Sequence, residues 1–169
     1  MIVIVFGVSG AGKTTVGKLL AKELGWRFYE ADDFHSQANI DKMRCGVPLT
    51  DEDRWPWLVK LRKLIKRCVE SDENAVMACS ALKRAYRDRL RISAEVKFVF
   101  LRGDYALITE QLRRRRGHFM APGLLRSQFA DLEEPKPDED VVTSELGHTP
   151  QEIVDEIKTE LPLAGKRPK

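Results

Sequence analysis

Gly7, Gly10, Gly12, Lys13 and Thr14 stand in the run GVSGAGKT, which has the pattern G-x-x-x-x-G-K-[ST]. Glycines at these positions let the backbone curl until successive N–H groups point inward, and a helix beginning just after them adds partial positive charge. The chemistry that such a cradle serves is the binding of phosphate oxygens. Gly7, Ser9, Gly10, Ala11, Gly12, Lys13, Thr14 and Thr15 are therefore the expected nucleotide-binding residues. Lys13 is expected to reach the β- and γ-phosphates of ATP, and the Thr14 hydroxyl to ligate the Mg²⁺ that bridges them. Transfer of the γ-phosphate further requires a group that accepts a proton from the acceptor oxygen. Asp32, at the end of the second apolar run, is the choice for that group, and Glu30 and Asp32 are the nearest carboxylates to support the metal.

For these residues to meet, a strand must lead into the glycines and a helix must leave them. The run IVIVF at 2–6 is continuous, apolar and mostly β-branched, as a strand covered on both faces requires. Val16, Leu19, Leu20 and Leu24 then recur at helical spacing and Gly25 supplies the stop. RFYEA at 27–31, AVMAC at 75–79, VKFVFL at 96–101 and VVT at 141–143 read as further strands. Between them come a short helix within 32–44, a helix marked by Leu58, Leu61, Ile65 and Cys68, and a basic helix over about 82–90. Thr50 and Asp53 have capping-box spacing before the second of these, and Pro56 is expected to blur its first turn. Thr149, Pro150 and Glu152 open a last helix. Alternating strands and helices predict an α/β fold, a five-stranded parallel sheet with helices on both faces joined by right-handed crossovers. The segment GHFMAPGLLRSQF breaks the periodicity and reads as an irregular lid insertion, within about 114–135.

The length of 169 residues suits one domain, here spanning 1–169, with a substrate-binding segment at about 32–57. Hydrophobic content of 43% beside 33% charged residues is the balance of a soluble globular chain. A formal net charge of +3 does not argue for a nucleic-acid or membrane partner. Ile2 to Phe6 has no basic leader and is too short for a signal peptide or a span, so a cytoplasmic protein is expected. Cys45, Cys68 and Cys79 show no CxxC spacing and are expected to be buried, reduced thiols. No N-K-x-D run for reading guanine occurs, and AVMAC leads into Ser80 and Ala81 rather than a Walker-B aspartate. Both absences favour a compact metabolite kinase over a GTPase switch or a large ATPase.

Five blocks in order, GVSGAGKTT, DDFH with NIDKM, GVPLTDEDRWPWL, CSALKRAYRDRLR, and GHFM with SQFADLEEP, resemble the gluconokinase family, relatives of shikimate and adenylate kinases. That family usually carries Asp where this chain has Glu30, and Ser where it has Ala11. The resemblance implies a P-loop fold like that of shikimate kinase, ATP:gluconate phosphotransfer, Mg²⁺ and a homodimer. It also implies roles. Asp32 is similar to the aspartate that binds the acceptor hydroxyl, with loop capping as the alternative. Arg54 is similar to the arginine that grips a substrate carboxylate, with a surface ion pair to Asp51 or Asp53 as the alternative. His35, Lys83 and His118 follow the family blocks as acceptor-binding residues, and Arg115 matches a lid arginine that stabilises charge on the transferring phosphoryl group. Other readings remain open at this point: another polyol acid, shikimate or a nucleoside monophosphate as acceptor, an ATP-dependent nucleic-acid-binding protein using Arg113 to Arg116 and the basic helix at 83–91, and an ATP sensor without turnover.

Overall fold

The structure, a computed structural model, describes residues 1–114 and 122–162. Its strands are β1 (Ile2–Phe6), β2 (Arg27–Glu30), β3 (Ala75–Cys79), β4 (Val96–Arg102) and β5 (Val141–Glu145). Its helices are α1 (Lys13–Leu24), α2 (Gln37–Arg44), α3 (Asp51–Glu70), α4 (Arg84–Leu90), α5 (Tyr105–Arg114), α6 (Pro122–Asp131) and α7 (Pro150–Glu160). The described strands form one sheet in the order β2-β3-β1-β4-β5, and each adjacent pair is parallel. This is the α/β arrangement expected from the sequence.

β1 is buried throughout, and its alternate side chains feed two cores. Ile2, Ile4 and Phe6 pack with Leu58, Leu61 and Ile65 of α3 and with Leu90 of α4. Val3 and Val5 face Val16 and Leu20 of α1 and Ile153 and Val154 of α7. Each large aliphatic side chain so buried contributes about 1.5–3 kcal/mol. The sheet therefore holds because helices cover both faces, which places the ends of its strands, and the loops that follow, at the open edge.

Thr50 and Asp53 form the expected capping box, the Thr50 hydroxyl accepting from the Asp53 N–H at 3.2 Å and the Asp53 carboxylate accepting from the Thr50 N–H at 2.9 Å. Such a cap stabilises a helix by about 1 kcal/mol. Pro56 does not blur the first turn: α3 runs unbroken across it to Glu70. Proline removes one N–H and its ring stays exposed, while the cap before it and the buried face after it hold the backbone helical. The segment expected to be irregular contains α6, whose Leu124 and Leu125 are buried. Its sequence periodicity is weak because the burial that makes it a helix comes from the body of the protein, not from a continuous apolar stripe. Cys68 and Cys79 are buried as expected, but Cys45 is exposed, since it follows the last turn of α2 at the rim of a cavity.

The loop from Ser80 to Lys83 is tied from beneath by a buried ion pair. Arg87 is fully buried, and its Nε and Nη2 donate to Glu139 at 2.7 and 2.9 Å. Its Nη1 donates to the carbonyls of Ala81 and Leu82 at 3.2 and 2.9 Å. Removing one partner leaves the other charge buried and uncompensated, so Glu139→Ala is expected to lower stability by about 3–5 kcal/mol in urea denaturation. The apolar pair Arg87→Met with Glu139→Leu is expected to recover most of that loss; a Glu139→Ala protein of wild-type stability would show that the pair does not hold the fold.

Candidate active site

The turn after β1 carries the phosphate loop. Gly12 is the N-cap of α1 at φ 89°, a left-handed conformation that costs other residues 1–2 kcal/mol. Gly7 sits where an added Cβ would come within 2.9 Å of the Leu101 carbonyl oxygen, so β4 leaves no room for a side chain there. The loop opens into a cavity of about 880 Å³. Ser9, Gly10, Gly12, Lys13 and Thr14 line it, as expected of a phosphate cradle. Gly7, Ala11 and Thr15 do not line it. Ala11 is buried and its N–H donates to the Val8 carbonyl at 3.2 Å, so this amide turns into the loop and not toward the cavity.

Lys13 lies along the loop, its Nζ donating to the Val8 carbonyl at 3.0 Å. The Thr14 hydroxyl donates to Glu30 Oε2 at 2.7 Å. Burial raises the Glu30 pKa above its ordinary value, with the Thr14 hydrogen bond opposing that rise. A threonine hydroxyl whose proton goes to a carboxylate keeps its lone pairs for a cation, which is the donor geometry a magnesium ligand needs. Among the described residues no group of three or more His, Cys, Asp or Glu is assembled to hold a metal. An ion here would have to take its remaining ligands from phosphate and water, as Mg²⁺ does in nucleotide sites.

Asp32 stands in the 3₁₀ turn Ala31–Phe34 that follows β2, on the same cavity as Lys13. Its side chain is 62% exposed, and Oδ1 lies 4.0 Å from Nε2 of His35. His35 is stacked on Trp57 with ring centroids 4.5 Å apart, and its Nδ1 lies 3.3 Å from the Asn39 amide nitrogen. Burial lowers the His35 pKa, so the ring is neutral at physiological pH. The Trp57 indole donates to the Ala31 carbonyl at 2.7 Å, which fixes the turn carrying Asp32. Asp32 and His35 thus share one wall, His35 held by its stack on Trp57 and Asp32 by the turn that the Trp57 indole fixes.

Arg54 lines the cavity from the first turn of α3. Its Nη1 donates to Asp131 at 2.8 Å and to the Tyr86 hydroxyl at 3.0 Å, so its acid partner is Asp131 rather than Asp51 or Asp53. Lys83 is not on the cavity wall: its Nζ donates to Asp51 at 2.9 Å, which raises its pKa, and lies 3.8 Å from Asp131. Arg115 and His118 lie outside the described residues. The structure adds residues that no motif argument singled out. Gln128 of α6 accepts from the Ser9 N–H at 2.6 Å and donates to the Ser9 hydroxyl at 3.0 Å, and Ser80 ends the wall after β3. Gln128 and Asp131 both fall within SQFADLEEP, and Tyr86 within CSALKRAYRDRLR, so the family blocks were the signal that could have found them.

The comparisons with known proteins extend over most of the chain. The shikimate kinase family profile matches residues 9–162. A probable gluconokinase from Rattus norvegicus is 48% identical over 160 residues, covering 83% of this chain and 86% of its own. A crystal structure of a gluconokinase from Sinorhizobium meliloti 1021 is 43% identical with a TM-score of 0.84, over 94% of this chain and 89% of that one. An unliganded sugar kinase from Janibacter sp. HTCC2649 is 44% identical with a TM-score of 0.91, over 96% and 95% of the two chains. With a phosphate loop, an acidic strand end and an arginine on one cavity, and with this similarity over most of its length, the chain belongs to the gluconokinase family of shikimate kinase-like P-loop kinases.

Proposed function

We propose that this protein transfers the γ-phosphate of ATP to the 6-hydroxyl of D-gluconate, giving 6-phospho-D-gluconate and ADP. The observation that carries the reading is the shared cavity, which Lys13 and Thr14 line together with Asp32, His35 and Arg54. The loop amides and Lys13 would hold the triphosphate, and the Thr14 hydroxyl, backed by Glu30, would hold Mg²⁺, which when bound would supply positive charge to the phosphate oxygens. Gluconate has a carboxylate at one end and hydroxyls along its length, so a pocket for it needs one fixed cation and neutral polar groups. Arg54 supplies the cation and neutral His35 a hydrogen-bonding ring.

In the transfer, Asp32 accepts the proton of the acceptor hydroxyl as that oxygen bonds to the γ-phosphorus. The bond from phosphorus to the β,γ-bridging oxygen breaks, and ADP leaves with that electron pair. Residues of the segment at about 114–135 act as the lid, with Arg115 stabilising the phosphoryl oxygens and His118 contacting the acceptor, and the segment at about 32–57 forms the acceptor wall. The roles of Arg115 and His118 and assembly as a homodimer rest on the resemblance, while the lid rests also on the broken periodicity and the single domain of 1–169 on the chain length. Light scattering against the 19.3 kDa chain tests the dimer.

The nucleic-acid reading finds no support in the basic helix, because its cations are already engaged. Arg84 is bonded to Asp138 at 2.8 Å, Arg87 is buried on Glu139, and Arg89 lies over the Trp55 ring at 3.6 Å. Nor does any described helix have the length and apolarity to cross a membrane.

The direct test is purified protein with Mg-ATP and a panel of gluconate, other sugar acids, shikimate and AMP, following ADP and phosphorylated product. Gluconate is expected to turn over best; product from shikimate or AMP alone would refute the acceptor. In the same assay Lys13→Ala is expected to abolish transfer. Asp32→Asn is expected to cut turnover about 100-fold or more, with nucleotide affinity within about two-fold. Equal losses of turnover and affinity would make Asp32 a structural residue. Ser9 is among the expected nucleotide-binding residues and Gln128 occupies its N–H, so Gln128→Ala is expected to tighten ATP binding about five-fold by calorimetry, the worth of one ordinary hydrogen bond. Weaker binding would instead make Gln128 a support of the loop.

A further inference from the structure

Arg54 has two usable edges, and the protein occupies only one of them. Both of its hydrogen bonds leave from Nη1, to Tyr86 on α4 and to Asp131 at the end of α6. Among the described residues Nε and Nη2 have no hydrogen-bond partner, and neither is a sealed-off buried atom. Arg87 demonstrates, within the same molecule, what that edge does against a carboxylate: Nε and Nη2 grip the two oxygens of Glu139 at 2.7 and 2.9 Å. Such a fork matches a carboxylate in shape as well as in charge.

The two acceptors on Nη1 come from different elements and are themselves fixed. The Tyr86 ring is buried, and its hydroxyl donates to Asp51 while accepting from Arg54, which uses its one proton and one of its lone pairs. Asp131 lies 3.8 Å from Lys83, which is bonded to Asp51. Arg54 and Lys83 therefore face Asp51 and Asp131, and the four formal charges cancel. Within this four-residue cluster no surplus charge is left to draw an anion by general attraction. It can select one by presenting a rigid fork, because a guanidinium held at one nitrogen by two acceptors no longer loses rotational freedom on binding.

We propose that Asp131 and Tyr86 are positioning residues that lock Nη1 of Arg54, so that its Nε–Nη2 edge faces the cavity as a fork for the carboxylate of the acceptor. This deepens the reading given under Proposed function and rests on it. Lys83 then acts within the network by neutralising Asp51 and Asp131, and not as a ligand of the acceptor.

The experiment is steady-state kinetics of the full chain and of Asp131→Ala, Asp131→Asn and Tyr86→Phe, with Mg-ATP and either gluconate or the uncharged hexitol glucitol. Asp131→Ala and Tyr86→Phe are expected to raise KM for gluconate about 10-fold, the effect of a lost hydrogen bond to a charged group. KM for ATP is expected to stay within about two-fold and kcat within about three-fold, while the preference for gluconate over glucitol in kcat/KM shrinks by about the same 10-fold. Asp131→Asn keeps an acceptor oxygen at the same reach and is expected to bring KM back to within about three-fold of wild type. An unaltered KM for gluconate would overturn the proposal, and a lowered one would do so by showing that Asp131 competes with the acceptor. Parallel losses for ATP and gluconate would also overturn it, as a general structural defect. Should Asp131→Ala not fold, Tyr86→Phe, which lacks a single oxygen, decides the matter. Wild-type protein that uses glucitol as readily as gluconate would overturn the acceptor reading itself, whereas a wild-type preference that survives both variants overturns only the positioning role.

Discussion

The parallel pairing of β1 between β3 and β4 is the constraint on which the rest depends. Phe6 stands opposite Cys79 on one side and Phe100 on the other, so β1 and β3 end at one level and release their loops side by side. β2 ends beside them, with Glu30 opposite Ala78. One sheet edge thereby gathers the phosphate loop after β1, the turn with Asp32 after β2 and Ser80 after β3. Both faces of β1 are apolar, so polarity alone does not set this register. Side-chain size contributes: Phe6 stacks on Phe100 at 5.1 Å and meets Phe98 edge-on at 6.1 Å, whereas the smaller Val3 and Val5 face α1. β1 slipped by one residue would drive the Phe6 ring into the side that α1 packs closely.

Three arginines near this edge have different work, and burial together with partner geometry distinguishes them. Arg87 is fully enclosed and spends its Nε–Nη2 edge on Glu139, leaving Nη1 for the carbonyls of the loop beside the cavity. It can only be structural. Arg89 lies on the face of Trp55 at the surface, where a cation–π contact contributes about 0.5–1 kcal/mol. Arg54, on the cavity wall, is held at one nitrogen only. The net charge of +3 conceals this division, since most cations of the basic helix are paired with acids or carbonyls.

Helix α6 touches both halves of the site. Gln128 is bonded to Ser9 of the phosphate loop, and Asp131, three residues later on the same helix, is bonded to Arg54. A helix brings residues three apart onto one face, so a single element spans the distance from the nucleotide cradle to the acceptor wall. This is also the region that the sequence describes least well. Gly123 and the polar residues 126–128 interrupt any clean stripe, and Leu125 finds its burial in a core built largely from residues far away in the chain.

What the sequence determined by itself is local. The phosphate loop, the strand before it and the helix after it follow from eight consecutive residues and their neighbours, as does the cap at Thr50 and Asp53, because a turn or a helix end is specified by residues within one or two turns of chain. The alternation of apolar strands with amphipathic helices likewise specified a parallel sheet. Tertiary structure decided the partners. That Arg54 meets Asp131, 77 residues away, that Lys83 turns to Asp51, that Thr14 meets Glu30 and that Cys45 is exposed at the cavity rim are all long-range or surface outcomes. Side chains of the same type compete for each such contact along the chain, and only the packed positions of the elements bring one pair within hydrogen-bond reach and keep the others apart.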